Sequence, residues 1–363
     1  MYKVHITPHW EISKDNDAAL DTSALLDLLL AVQEDGSIAK AAEKVKLSYR
    51  YAWGLLRDGE KLFGESLMTT NRGRGTVLTP LAEKLIWAER RISARLSPTL
   101  DSLSSELERE LNVNSSENTG AIRLHASHGF AVAAMLNIIN QENLTTEVRY
   151  RNSTDAVAAL ARKECDLAGF HVPLGEFEAP AVEQFLQWLN PKTHCLIHLA
   201  VRTQGLILAS GNPKKIRGIK DLNQPNLNFV NRQKGSGTRL LLELMLAKQA
   251  IASKEIQGFD NNEFTHSAVA AFIASGMADV GFGVQTAAQR FGLDFIPLVK
   301  ERYFFALSIN ALNDPKIQQI IGILKSAHFQ QEVDKLVGYE SGETGEIISI
   351  TDAFGARKKS KTN

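Results

Sequence analysis

From Leu81 to about Leu111 the chain holds a pattern of helical period, opened by Pro80 after Thr79 and followed by the polar run NVNSSENT. Proline is accepted in the first helical turn because its missing N–H would have no partner there. A helix of about 30 residues spans about 45 Å, more than a small domain can bury. Its apolar side is therefore expected to meet a symmetry mate, giving a homodimer. Residues 112–119 keep neither the helical nor the strand period and read as the domain boundary. At 363 residues the chain is also too long for one compact core, which agrees with at least two folded regions.

The region before the rod, residues 1–79, reads as three short helices and a hairpin. TSALLDLLLAVQE (22–34) has helical apolar spacing behind a Thr or Ser cap and stops at Gly36. Ser37 caps IAKAAEKV, a tight break falls at Lys46-Leu47, and Ser48 caps YRYAWGLLRDGEKLFG. Two short helices joined by a tight turn give a helix-turn-helix. In SLMTTNRGRGTVLT, residues able to form strands flank an Asn-Arg-Gly-Arg-Gly turn, as in a two-stranded wing.

The formal net charge is zero, yet between Ser37 and Thr76 the basic residues Lys40, Lys44, Lys46, Arg50, Arg57, Lys61, Arg72 and Arg74 outnumber Glu43, Asp58, Glu60 and Glu65. That segment is suited to face phosphate. A recognition helix enters the major groove by its N-terminal end, which here carries Ser48, Tyr49, Arg50 and Tyr51. Arg50 is the candidate base reader; Lys40, Lys46, Arg72 and Arg74 are candidate phosphate contacts. Trp53 and Leu56 are expected to turn inward to the core.

From Gly120 short apolar strands alternate with helices: AIRLHAS, TEVRYRN, TDAVAALARKE and CDLAGFHV, then NLNFVNR, TRLLLELMLAKQAI, HSAVAAFIASG, DVGFGV and LDFIPLV. Alternation of this kind gives α/β layers, here in two halves separated by HCLIHLAVRTQGLILAS, and two lobes imply a cleft. The expected extent is 120–350, with 351–363 a solvated basic tail ending in GARKKSKTN. Cys165 and Cys195 lack CxxC spacing and read as buried free thiols.

Within this region FVNRQKGSGTRLLLELML carries the strongest site signal. A strand ending at Arg232, the turn Gly235-Ser236-Gly237 and a helix opening at Thr238-Arg239 gather hydroxyls, backbone N–H groups and two guanidinium groups at one helix start. Helix dipoles favour negative charge and Arg offers planar paired donors, so this is chemistry for an anion. The competing reading pairs Arg239 with a carboxylate of the other lobe. Three further turns have the same form: Ser127-His128-Gly129, Asn152-Ser153-Thr154 and Thr265-His266-Ser267. Each also reads as an ordinary helix cap, and together they are expected to converge on the cleft, with His266 a proton-sensitive donor. Asp166 and Asp279 read as structural, and Tyr303 and Phe304 as strand core.

The stretch GSIAKAAEKVKLSYRYAWGLLRDGEKLFGESLMTTNRGRGTVLTPLAEKLI resembles the winged helix-turn-helix of molybdate-responsive repressors, themselves related to LysR-type regulators, over roughly residues 20–110. It departs from those repressors in its second half, since their usual sensors are small β-barrels. That half resembles cytoplasmic relatives of class II periplasmic solute-binding proteins of the molybdate-binding-like kind, over roughly 120–345. The resemblance implies a multidomain α/β protein: an N-terminal winged helix-turn-helix with a long dimerisation helix, and a C-terminal two-lobed, type II binding-protein-like domain. It further implies a cytoplasmic homodimer that binds double-stranded DNA and a small anion, with molybdate or tungstate as effector and no prosthetic group. An organic anion or a molybdenum-cofactor-related metabolite is the alternative effector, and a solute-binding protein without DNA regulation the alternative role. The sequence holds no GxSxG, P-loop or HExxH motif, and no metal site, catalysis or membrane association is expected.

Overall fold

The computed structural model describes residues 2–15, 19–71, 75–111 and 120–355. They form two compact units, Thr7–Leu96 and Ser97–Asn363, the latter joined by Met1–Ile6. The boundary falls inside the helix Pro80–Leu111. The rod is thus divided between the units rather than standing apart from both. The expected linker 112–119 lies outside the described residues.

In the smaller unit the helices Thr22–Asp35, Ile38–Lys44 and Tyr49–Phe63 precede an antiparallel hairpin of Met68–Asn71 and Gly75–Leu78. Leu25, Leu28, Leu29, Val32, Ala41, Ala52, Leu56 and Ile86 close its core. The first helix is capped by Asp21, whose carboxylate accepts the Ser23 N–H at 2.8 Å, and not by Thr22 or Ser23. Ser37 holds the cap position of the second helix without a side-chain cap bond. Gly36 ends the first helix in the left-handed region (φ 61°), and its carbonyl accepts the Thr76 N–H at 2.9 Å. This ties the hairpin to the end of that helix.

The larger unit is built on one mixed sheet. Ile122–Ala126 lies between Thr146–Tyr150 and Leu167–Pro173, parallel to both, in one half. Phe229–Arg232 lies parallel to Val280–Val284 and Asn262–Glu263 in the other. Two strands of 15 residues, His194–Leu208 and Asp294–Ser308, run antiparallel through both halves, with Asp294 opposite Leu208 and Ser308 opposite His194. Parallel strands buried on both faces read as continuous apolar runs, which is why LAGFHVP and VGFGV are buried throughout. Tyr303 and Phe304 are core, as expected, and Gly169 leaves room for the tyrosine, since a Cβ there would lie 1.9 Å from its hydroxyl.

A helix spans Ile350–Phe354, which corrects the expected start of the tail at 351. This helix is capped by Ser349; Ile350 is buried and Phe354 meets Phe304 edge-on at 5.8 Å. An apolar Ile and Phe on one turn found core to cover. Cys165 and Cys195 are free and buried. Asp166 accepts the Arg123 N–H and Asp279 the Asn228 N–H, each at 2.8 Å, so both are structural.

Candidate functional site

On the smaller unit the third helix presents its opening turn. Ser48 Oγ accepts the Tyr51 N–H at 3.2 Å, and Lys46 takes a left-handed backbone (φ 58°) that makes the tight turn before it. Lys40, Lys46, Ser48, Tyr49, Arg50 and Tyr51 are all exposed. Arg72 and Arg74 lie outside the described residues. Leu56 is buried but Trp53 is not, contrary to expectation: it is 36 % exposed and meets Tyr49 edge-on at 6.3 Å. Ala52, Leu55, Leu56 and Gly59 occupy the inward stripe of this helix, leaving position 53 on its outer side.

In the larger unit a cavity of about 470 Å³ opens where the two halves of the sheet meet. Four helix starts reach it: Phe130–Gln141, Ser153–Ala161, Gly237–Lys248 and His266–Ala274, through Ser127 and His128, Asn152 and Ser153, Ser236 to Thr238, and His266. The caps serve their own helices. Asn152 Oδ1 accepts the Asp155 N–H at 2.8 Å, Ser236 Oγ the Arg239 N–H at 3.2 Å, and Thr265 Oγ1 the Ala268 N–H at 2.8 Å. The aligned peptide dipoles of several helices add positive potential at one place.

Two buried guanidinium groups stand there. Arg202, from the crossover strand, donates to Glu301 at 2.5 Å, and Gln204 donates to the same carboxylate at 2.8 Å and to Thr238 Oγ1 at 2.9 Å. Arg232 is 4 % exposed, donates through Nη2 to the Phe264 carbonyl at 2.6 Å, and forms no ion pair among the described residues. Among the described residues its Nε lacks a partner, as do His171 Nε2 and His266 Nδ1. Burial, then the neighbouring Arg202, lowers Arg232 to about 9 against the partial relief of Glu301. Burial and then Arg232 push His128 down to about 4, and burial with both arginines holds His171 and His266 well below the usual imidazole range. The site is one uncompensated buried cation ringed by neutral imidazoles and hydroxyls. A buried charge without a partner is costly, and an anion is the partner this arrangement lacks.

Of the residues expected from the sequence, Ser127, His128, Asn152, Ser153, Arg232, Ser236, Gly237, Thr238 and His266 line this cavity, and Thr154, Gly235 and Arg239 do not. Those three border a smaller hollow with Lys234, Gln184 and Glu243. Arg239 donates to Glu243 at 2.9 Å and Asn262 at 2.6 Å and lies 4.8 Å over the Phe259 ring, all within its own half. Successive helical residues are about 100° apart, so Thr238 at the cleft places Arg239 round the side. Arg202 and His171 were missed. A lone Arg in the apolar run HCLIHLAVRTQGLIL was the available signal, because Arg is rarely buried without a task.

Residues 137–325 match the PBP superfamily domain, and residues 24–83 match the bacterial regulatory helix-turn-helix protein, lysR family. The chain is 32% identical over 206 residues to the uncharacterized protein YvgK of Bacillus subtilis (strain 168), a match covering 56% of this chain and 65% of that one. It is 33% identical over 128 residues to the molybdenum-pterin-binding protein MopB of Rhodobacter capsulatus, covering 34% and 46%. A solved structure of Corynebacterium glutamicum OxyR, the C206 mutant, is similar with a TM-score of 0.42 and 18% identity, over 86% of this chain and 93% of that one.

Proposed function

We propose, from the premise that the chain belongs to the PBP superfamily and carries a LysR-family regulatory helix-turn-helix, that it is a cytoplasmic, ligand-responsive transcriptional regulator whose effector is an oxyanion bound at Arg232. The observation that carries the effector reading is the buried guanidinium of Arg232, without an ion pair and faced by helix starts from both halves of the sheet. Arg202, Ser127, Ser153, Ser236, Thr238 and the three imidazoles supply the remaining donors. Molybdate or tungstate is the oxyanion we favour. The likeness to a molybdenum-pterin-binding protein supports it, as does the tetrahedral anion's need for donors on several sides.

Regulation follows from differential affinity: the anion shifts the protein toward whichever arrangement binds it better, and DNA binding changes with that shift. Arg50 reads a base edge, and Lys40, Lys46, Arg72 and Arg74 hold phosphates. The working form is a homodimer joined along the helix Pro80–Leu111, on which Leu96, Leu107 and Leu111 are exposed at spacings of helical period. Such a dimer requires operator half-sites about one helical turn, or a multiple, apart.

The test is thermal unfolding of the full chain against molybdate, tungstate, sulfate, phosphate and small carboxylates, with Arg232→Met and Arg239→Met beside the wild type. Stabilisation by an oxyanion that Arg232→Met abolishes and Arg239→Met keeps supports the site. Stabilisation kept in Arg232→Met, or seen with no oxyanion, sinks it.

A further inference from the structure

The two halves of the larger unit already touch beside the anion subsite. A Cβ on Gly235 would lie 2.9 Å from Asn152 Nδ2, and one on Gly237 would lie 3.7 Å from Ser153 Oγ. Even so, the cavity keeps about 470 Å³. A tetrahedral oxyanion displaces about as much space as three waters, on the order of 90 Å³, and cavities of 300–1,000 Å³ ordinarily take whole organic ligands. An anion seated on Arg232 and Arg202 leaves most of this chamber unfilled.

The remaining space has a different chemistry. Its wall is the helix segment after Ser97, through Thr99, Ser102, Leu103 and Glu106. That segment is seated on the edge strand by two serines: Ser102 Oγ accepts the Tyr150 N–H at 3.2 Å and Ser105 Oγ the Val148 N–H at 2.9 Å. Glu106 is exposed and forms no ion pair among the described residues, so its carboxylate is available to accept hydrogen bonds. Across the mouth Phe264 presents an aromatic side chain that is 60 % exposed. Arg232 and Arg202 thus sit at the buried end, while the exposed part of the lining carries Glu106, Arg151 and the apolar face of Phe264.

We propose that the cavity, besides a free oxyanion, also takes a two-part ligand: a tetrahedral oxyanion at Arg232 and Arg202, borne on a hydroxylated organic body of the sugar-phosphate class that lies against Thr99, Leu103 and Glu106. This rests on the reading of Arg232 as the oxyanion anchor and extends it to the body the anchor carries. Glu106 and Thr99 take the hydroxyls, and Phe264 covers a carbon face. The ligand body then touches the helix that continues into the DNA-binding unit, and occupancy is felt by that helix directly.

The experiment is calorimetric titration of the full chain with inorganic phosphate, molybdate, glycerol 3-phosphate and ribose 5-phosphate, repeated on Glu106→Gln and Arg232→Met. The expected result is that ribose 5-phosphate binds at least about tenfold more tightly than inorganic phosphate. Glu106→Gln should narrow that preference by about tenfold, and Arg232→Met should abolish binding of every compound. Inorganic phosphate binding as tightly as both esters overturns the two-part ligand and leaves the anchor standing. An ester preference unchanged in Glu106→Gln overturns the helix as the body's wall. Binding that survives Arg232→Met, or no binding by any of the four, overturns the anchor and this proposal with it.

Discussion

Replacing Arg232 by Met should make the protein more stable and unable to respond to anions. Holding Arg232 at about 9, well below the ordinary guanidinium value, corresponds to a burial cost of about 5 kcal/mol for the charged form. Because the lowered group is a base, burial penalises its charged form, the form a guanidinium keeps at ordinary pH. The cost is therefore present throughout the ordinary range of pH. Methionine fills much of the same volume without the charge. Against that gain stand the lost hydrogen bond to the Phe264 carbonyl, worth about 1–3 kcal/mol once the acceptor is left unsatisfied, and some packing. The net expectation is a gain of about 2 kcal/mol, or about 4–8 °C in the transition of the larger unit. The wild type should recover a similar amount from ligand, about 2.7 kcal/mol at a hundredfold excess over Kd. Differential scanning calorimetry with and without ligand measures both. A lower ligand-free Tm in Arg232→Met would refute the reasoning that the charge is uncompensated, and a retained ligand shift would refute its role as anchor.

Four other expectations follow from the same geometry. Arg239→Met should lower the ligand-free stability by about 2 kcal/mol, through loss of the Glu243 and Asn262 bonds and the Phe259 stack, with the anion response intact in thermal melts. His128, His171 and His266 are held below the free imidazole value, so the unfolded chain takes up protons first. Stability should fall as pH drops from about 6.5 toward 4, while a bound anion favours the imidazolium and its affinity rises over the same interval; titrations at pH 7 and 5.5 in buffers of differing ionisation heat read the linked proton uptake. Gly75→Ala puts a Cβ 2.5 Å from the Gly36 carbonyl at a φ of 76°; it should cost the smaller unit about 2 kcal/mol or more and weaken DNA binding, measured by melts and by anisotropy. Arg50→Ala should lose about 1–3 kcal/mol on a selected operator and relax one base position, whereas Lys40→Ala should weaken all sequences alike and reduce the salt slope by about 1.

The sequence was most informative where a local rule acts alone. Gly36 and Gly64 stop helices in the left-handed region, Ser48 caps the third helix, and Pro80 opens the long one. The hydroxyl-bearing turns also reach one cavity, because in strand-to-helix units the helix starts gather at the same edge of the sheet. What stayed hidden depends on rotation or on distant pairing. Arg239 follows Thr238 by one residue and faces elsewhere; Trp53 sits beside an inward stripe that four smaller residues, Ala52, Leu55, Leu56 and Gly59, already fill. Arg202 joins the site from the middle of a crossover strand, and its partner Glu301 is 99 residues away. The contribution of Thr99 and Glu106 to the cavity wall needs Ser102 and Ser105 to find the free N–H groups of an edge strand. Nothing in the helical period encodes that match.

The measurement that bears most directly on the regulator is the affinity of the full chain for a double-stranded site selected from random DNA, by fluorescence anisotropy at fixed salt, with and without an anion that raises its Tm. The account predicts a change of at least about fivefold on adding the anion, absent in Arg232→Met. Equal affinity in both conditions, at an anion concentration that saturates the thermal shift, would contradict it.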